Sequence, residues 1–142
     1  MKKQVKVFFD SDVVISSYLS NKGSSYALIK NQTLKRFVTN ISKKEILRST
    51  KKLNISESAL NKHIKNHFIQ VNLKEPLSDI KKKYKTYTSD IDDAHIIRGV
   101  LEAKVKILVT FNIKHFNKNK LKEERGINIM TPGEFIQHLR SN

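Results

Sequence analysis

Apolar runs at residues 4–9, 36–39, 69–73, 106–110 and 127–130 divide the chain, and stretches with apolar residues at helical spacing lie between them. Runs this short, rich in Val, Ile and Phe, have strand length and are too brief for stable helices. The connections are far too long for hairpins. A strand that runs the same way as its predecessor has to be reached by a crossover, which is usually helical. The expected fold is therefore α/β, a mainly parallel sheet covered by helices on both faces. A chain of 142 residues suffices for one real core and is short for two, so residues 1–142 are expected to form a single domain.

Local signals place the helices. The first is expected over residues 12–19 with Asp10, Ser11 or Asp12 at its cap, and a second from Gly23 and Ser24 through Ile29. Ser42-Lys43-Lys44-Glu45 has the spacing of a capping box ahead of Ile46 and Leu47, so a helix is expected to begin there. Another is expected near Ser56. Pro76 leads into a polar stretch around KKKYKTYT, and Ile96, Ile97, Val100 and Leu101 mark an amphipathic helix over residues 90–103. Thr131 and Pro132 suit the cap and first turn of a terminal helix.

In open parallel sheets chemistry collects beyond the carboxyl ends of the strands. Asp10 stands there, directly after the first run. The plainer reading of one such Asp is a helix cap, and the capping box accounts for Glu45 just as plainly. Asp90, Asp92 and Asp93 open a helix, where the macrodipole favours negative charge. Asp93 is different, because Ile96, Ile97 and Val100 follow it at inward-facing spacing, and a carboxylate on that stripe needs a partner. Thr110, Asn112 and His115 lie just past the fourth run; a turn amide and a packed histidine would explain the last two. Convergence of Asp10, Glu45 and Asp93 would be repulsive without a cation. Oxygen donors of that kind suit Mg²⁺ or Mn²⁺ rather than zinc.

The chain carries 28 Lys and Arg against 13 Asp and Glu, a formal charge of +15, which favours a polyanionic partner such as RNA. With no cysteine, disulfides, thiolate zinc sites and a thiol nucleophile are excluded. The opening MKKQVKVFFD superficially resembles a signal peptide, but Lys6, Asp10 and Asp12 interrupt its apolar run, and nowhere do about 18 apolar residues run together. A soluble cytoplasmic protein without a membrane partner is the expectation.

VFFDSDVVIS, ISKKEIL, DIDDAHIIRGVLEA, ILVTFNIKHF and INIMTPGEFI, in that order and spacing, resemble the PIN domain family of metal-dependent nucleases. The resemblance implies a three-layer α/β/α sandwich, a Mg²⁺ or Mn²⁺ site and hydrolysis of single-stranded RNA. It carries the family's acids to Asp10, Glu45 and Asp93 as metal ligands and its fourth position to Asn112, where a neutral amide binds a cation more weakly than a carboxylate. Asp12 stands where the family commonly has Asn or Ser and His115 where many relatives have Asp; Asp12, Asp90, Asp92, Thr110 and His115 are expected as supporting residues. Many small members are toxins of toxin–antitoxin pairs, so a cognate antitoxin and a homodimer are implied partners.

On this reading the carboxylates hold the ion that activates water, Asn112 and Thr110 position that water or a ligand, and no side chain acts as nucleophile. Lys43, Lys44 and Lys114 are placed by sequence to meet the phosphates. The run from Lys81 to Tyr87 interleaves cations with aromatics able to stack bases, although a solvated lysine face explains it more simply. Other readings start from the same residues. A catalytically impaired PIN-fold module would bind RNA or protein without cutting. A haloacid dehalogenase-like phosphatase would use Asp10 as nucleophile and Asp12 as acid or base, but its late acidic pair normally follows a strand. A response-regulator receiver lacks its phosphoacceptor, since no acid ends the run at residues 36–39.

Overall fold

The computed structural model describes residues 4–141; the opening lysine pair lies outside the described residues. β1 (Val5–Phe9) leads to α1 (Ser11–Leu19) and α2 (Ser24–Lys30), then β2 (Leu34–Thr39). α3 (Asn40–Arg48), α4 (Thr50–Leu53) and α5 (Glu57–His67) precede β3 (Ile69–Val71), and α6 (Leu77–Tyr84) and α7 (Ala94–Glu102) precede β4 (Ile107–Val109). α8 (Lys118–Arg125), β5 (Asn128–Met130) and α9 (Pro132–Ser141) follow. Among the described residues no helix is long and apolar enough to cross a membrane.

The strands form one sheet in the order β3-β2-β1-β4-β5, and every neighbouring pair is parallel. The chain steps outward from β1 to β3, then returns to the other side of β1 to lay down β4 and β5. The carboxyl ends of β1 and β4 therefore flank the point where strand order reverses, the usual place for a site in such sheets.

Alternation along the strands builds two cores. Val7 and Phe9 of β1 join Val38 and Val109 beneath α1, α2, α3, α5 and α9, while Phe8, Phe37 and Leu108 face α6, α7 and α8. The result is a three-layer α/β/α sandwich around a parallel sheet, as expected. At Gly99 a Cβ would stand 2.6 Å from Thr39 Cγ2 and 2.7 Å from Phe8 Cζ, so α7 lies directly on β1 and β2.

Two expectations need correction, and one stretch without an expected element proves helical. The Ser42 capping box does not form: Thr39, extended at φ −85°, ψ 158°, caps α3 by accepting the Ser42 N–H at 2.9 Å, so the helix starts earlier. The true box is at Thr131, whose Oγ1 accepts Glu134 N–H at 3.1 Å while Glu134 Oε1 accepts Thr131 N–H at 3.0 Å. The polar stretch after Pro76 is helical, because Ile80 and Tyr84, one turn apart, bury together. Residues 90–103 do not form one helix. Ile91–Asp93 is a single 3₁₀ turn closed by Asp90 Oδ1 accepting Asp92 N–H at 3.0 Å, and α7 begins after it.

Candidate active site

Asp10 leaves β1 as the N-cap residue of α1. Its backbone N–H donates to Val109 O at 3.0 Å, tying it to the neighbouring strand's end. One carboxylate oxygen accepts the Ser11 N–H at 2.7 Å and the other accepts the Thr110 hydroxyl at 2.7 Å. Thr110 Oγ1 in turn accepts the Asn112 N–H at 3.0 Å. Burial raises the Asp10 pKa, and the Thr110 and Ser11 donors oppose that rise.

Asp12, in the first turn of α1, reaches the same loop. Its Oδ2 accepts Phe111 N–H at 3.1 Å and Asn112 Nδ2–H at 2.9 Å, while its Oδ1 is buried without a hydrogen-bond partner. Burial, then the Asp10 charge, pushes its pKa up to about 6. Asn112 thus donates to a second carboxylate, which a fifth acid at that position would repel.

Asp93 occupies the N-cap position of α7 but caps nothing; its Oδ2 lies 3.2 Å from His115 Nδ1. Burial and then Asp10 raise its pKa to about 6. Glu45 projects from α3, released from the box expected to hold it. Its pKa is raised by burial, then by Asp93, Asp10 and Asp92. Asp10, Asp12, Glu45 and Asp93 therefore feel one another across one rim of the sheet.

The remaining residues separate. Asp90 is spent on its turn, and Asp92, with a 70% exposed side chain, pairs with Lys81 Nζ at 3.0 Å. Lys44 and Lys114 are exposed and Lys43 half-buried. Tyr84 and Tyr87 are 3% and 5% exposed, so they pack in the core and offer no face to a base; Tyr87 Oη donates to Glu124 at 2.9 Å. A cleft along α3, α4 and α5 is lined by Lys44, Arg48, Lys51 and Glu57.

Two neighbours of the rim were not singled out from sequence. Phe111 is 47% exposed beside Asn112, its backbone pinned by Asp12. His95, 1% exposed, sets Nδ1 3.0 Å from Thr39 Oγ1 and Nε2 3.6 Å from Glu45 Oε1. Burial lowers its pKa to about 4, so this approach is no ion pair near neutral pH. Its only sequence signal was a place two residues past Asp93 and one turn before Gly99.

In this conformation no three His, Asp or Glu side chains among the described residues close on one point. The fit to a divalent cation is one of donor chemistry. Carboxylates in kind suit Mg²⁺ or Mn²⁺, Asp12 Oδ1 lacks a partner, and each of the four acids is raised by burial.

An open parallel sheet with carboxylates at its switch point defines the class: an α/β protein built to hold charge at one rim. A PIN domain model matches residues 6–114, and the chain belongs to the PIN domain family, whose members are generally nucleases. Solved structures agree in fold. A toxin-antitoxin complex from Klebsiella pneumoniae has a chain with TM-score 0.63 and 16% identity, covering 89% of this chain and 97% of that one. VapBC2 from Rickettsia felis, bound to a DNA fragment from its promoter, gives 0.60 and 13%, covering 88% and 97%. PAE2754 from Pyrobaculum aerophilum gives 0.61 and 14%, covering 97% of both. Among curated protein sequences none matches this chain.

Proposed function

We propose that this protein is a Mg²⁺- or Mn²⁺-dependent endoribonuclease that hydrolyses phosphodiester bonds of single-stranded RNA. One observation supports this above the others: three acids from separate elements meet on one rim of the sheet, where Asp10 raises the pKa of both Glu45 and Asp93 and Asp93 raises that of Glu45, within a family of nucleases. These carboxylates are the proposed ligands, with Asp12 beside them. Bound there, the ion supplies Lewis acidity toward the phosphodiester and the positive charge that keeps the acids ionised.

The chain's own groups prepare that site. Thr110 fixes the Oδ2 of Asp10, and Asn112 with the Phe111 amide orients Asp12. His115 orients Asp93. Lys43, Lys44 and Lys114 attract the strand, whose approach to the acids is otherwise repulsive. The likeness to a chain of the toxin-antitoxin complex from Klebsiella pneumoniae supports a toxin role here with an antitoxin as partner, and a homodimer is the proposed assembled form.

Purified protein incubated with labelled single-stranded RNA, single-stranded DNA and duplex RNA tests this. Cleavage of single-stranded RNA in Mg²⁺ or Mn²⁺, abolished by EDTA, is expected. Cleavage that survives EDTA would overturn the metal requirement, and RNA binding without cleavage would favour the non-catalytic module. Rescue of toxic expression by a small protein encoded next to this chain is expected if it is a toxin.

A further inference from the structure

We infer that His95 is a positioning residue whose Nε2–H holds the Glu45 carboxylate toward the acidic rim; the inference rests on the reading of Glu45 as a cation ligand. The imidazole is fixed from behind. It lies in the first turn of α7 at 1% exposure, and Gly99 one turn later presses that helix onto Thr39 and Phe8. The ring is thus buried beneath a helix packed closely on the sheet.

The hydrogen bonds of Thr39 decide which ring nitrogen carries the hydrogen. Thr39 Oγ1 accepts the Ser42 N–H at 2.9 Å and lies 3.0 Å from His95 Nδ1, and among the described residues it has no other side-chain partner. If Nδ1 held the hydrogen, the buried hydroxyl hydrogen would have no acceptor. Nε2 would then aim a lone pair at a carboxylate 3.6 Å away. Both penalties vanish if Thr39 donates to Nδ1 and the ring hydrogen sits on Nε2.

That Nε2–H is buried and lacks a hydrogen-bond partner. Glu45 Oε1 stands a few tenths of an ångström beyond hydrogen-bond reach, on a side chain 45% exposed and free to turn toward it. Thr39 also caps α3, the helix that carries Glu45, so one hydroxyl sets both the helix start and the ring that faces its acid. Metal-ligand carboxylates are commonly held this way by a further hydrogen bond.

The test is calorimetric titration with Mn²⁺ alone, with no RNA present. His95→Asn keeps an amide near the Nδ1 position only, whereas His95→Gln reaches the Nε2 position. Expected is a loss of Mn²⁺ affinity of about 10- to 100-fold in His95→Asn, recovery to within a few-fold in His95→Gln, and no further loss when His95→Asn is added to Glu45→Gln. Equal affinity in His95→Asn and wild type, with Glu45→Gln weakened, would overturn the positioning role alone. Equal loss in the Asn and Gln variants would also overturn it, by marking a merely structural role. Unchanged affinity in Glu45→Gln would overturn the reading of Glu45 itself, and the inference with it. A long-range ¹H–¹⁵N spectrum of the wild-type ring is independent of any variant's folding: hydrogen on Nε2 is expected, and hydrogen on Nδ1 contradicts the assignment.

Discussion

Thr110 Oγ1 donates to Asp10 Oδ2 at 2.7 Å, joining the ends of two neighbouring strands across 100 residues of sequence. Thr110 is fully buried and its oxygen also receives the Asn112 N–H. Thr110→Val would leave that N–H and one buried carboxylate oxygen unsatisfied. A loss of about 1–3 kcal/mol is expected in urea denaturation. An unchanged midpoint would show that the bridge holds nothing together.

Asp93 is expected to cost stability near neutral pH. Its folded pKa of about 6, raised by burial and then by Asp10, stands above the unfolded value of about 4. The folded chain then binds more protons between these values, so this group's contribution is most favourable below about 4 and is lost as pH rises through 6. Asp93→Asn should therefore stabilise the cation-free protein by roughly 1 kcal/mol at pH 7.5, after discounting for solvent screening and for the missing His115 hydrogen bond, and the gain should vanish at pH 4. Thermal melts at both values check it. A melting temperature lowered at pH 7.5 would contradict it.

Asn112→Asp replaces a donor to Asp12 by a like charge where the hydrogen bond is now 2.9 Å long. The cation-free protein should lose about 1 kcal/mol, and Mn²⁺ should bind more tightly because the rim gains a ligand. Denaturation and calorimetry give the two signs. Weaker Mn²⁺ binding in this variant would place the ion elsewhere.

Exchanging Lys43, Lys44 and Lys114 for Ala should flatten the dependence of log K on log salt by about 0.7 for each phosphate of a single strand that is no longer neutralised. Tyr87→Phe should leave RNA binding alone and cost about 1 kcal/mol or less, because its hydroxyl joins Glu124 to Arg125 at the protein surface. Filter binding over a salt series separates the two. A large effect of Tyr87→Phe on affinity would restore the stacking role that burial denies it.

The parallel sheet was legible because strand and helix periods differ, and the strands fell within a residue or two of their expected places. Capping was legible only where sequence spacing met the right backbone. Thr131-Pro132-Gly133-Glu134 formed its box, but Ser42 lost the role to Thr39, which ends a strand already extended and so starts the helix sooner. The lysine-rich stretch hid a helix because its inward face is carried by few residues, Ile80 and Tyr84 among them. The acids at the rim were visible as a family resemblance, whereas the bonds that organise them were not. Thr110 to Asp10, Asn112 to Asp12 and His95 to Thr39 each span dozens of residues, and no local pattern encodes them.

The central claim is that Asp10, Glu45 and Asp93 act together through one cation site. Single-turnover cleavage of a labelled single-stranded RNA in Mn²⁺, by folded wild type, Asp10→Asn, Glu45→Gln, Asp93→Asn and their pairwise combinations, tests it most directly. Each single variant should fall by roughly 100-fold or more, and the pairs should fall little further, because groups that act as a unit are not additive. Wild-type rates in Asp10→Asn and Asp93→Asn would contradict the account.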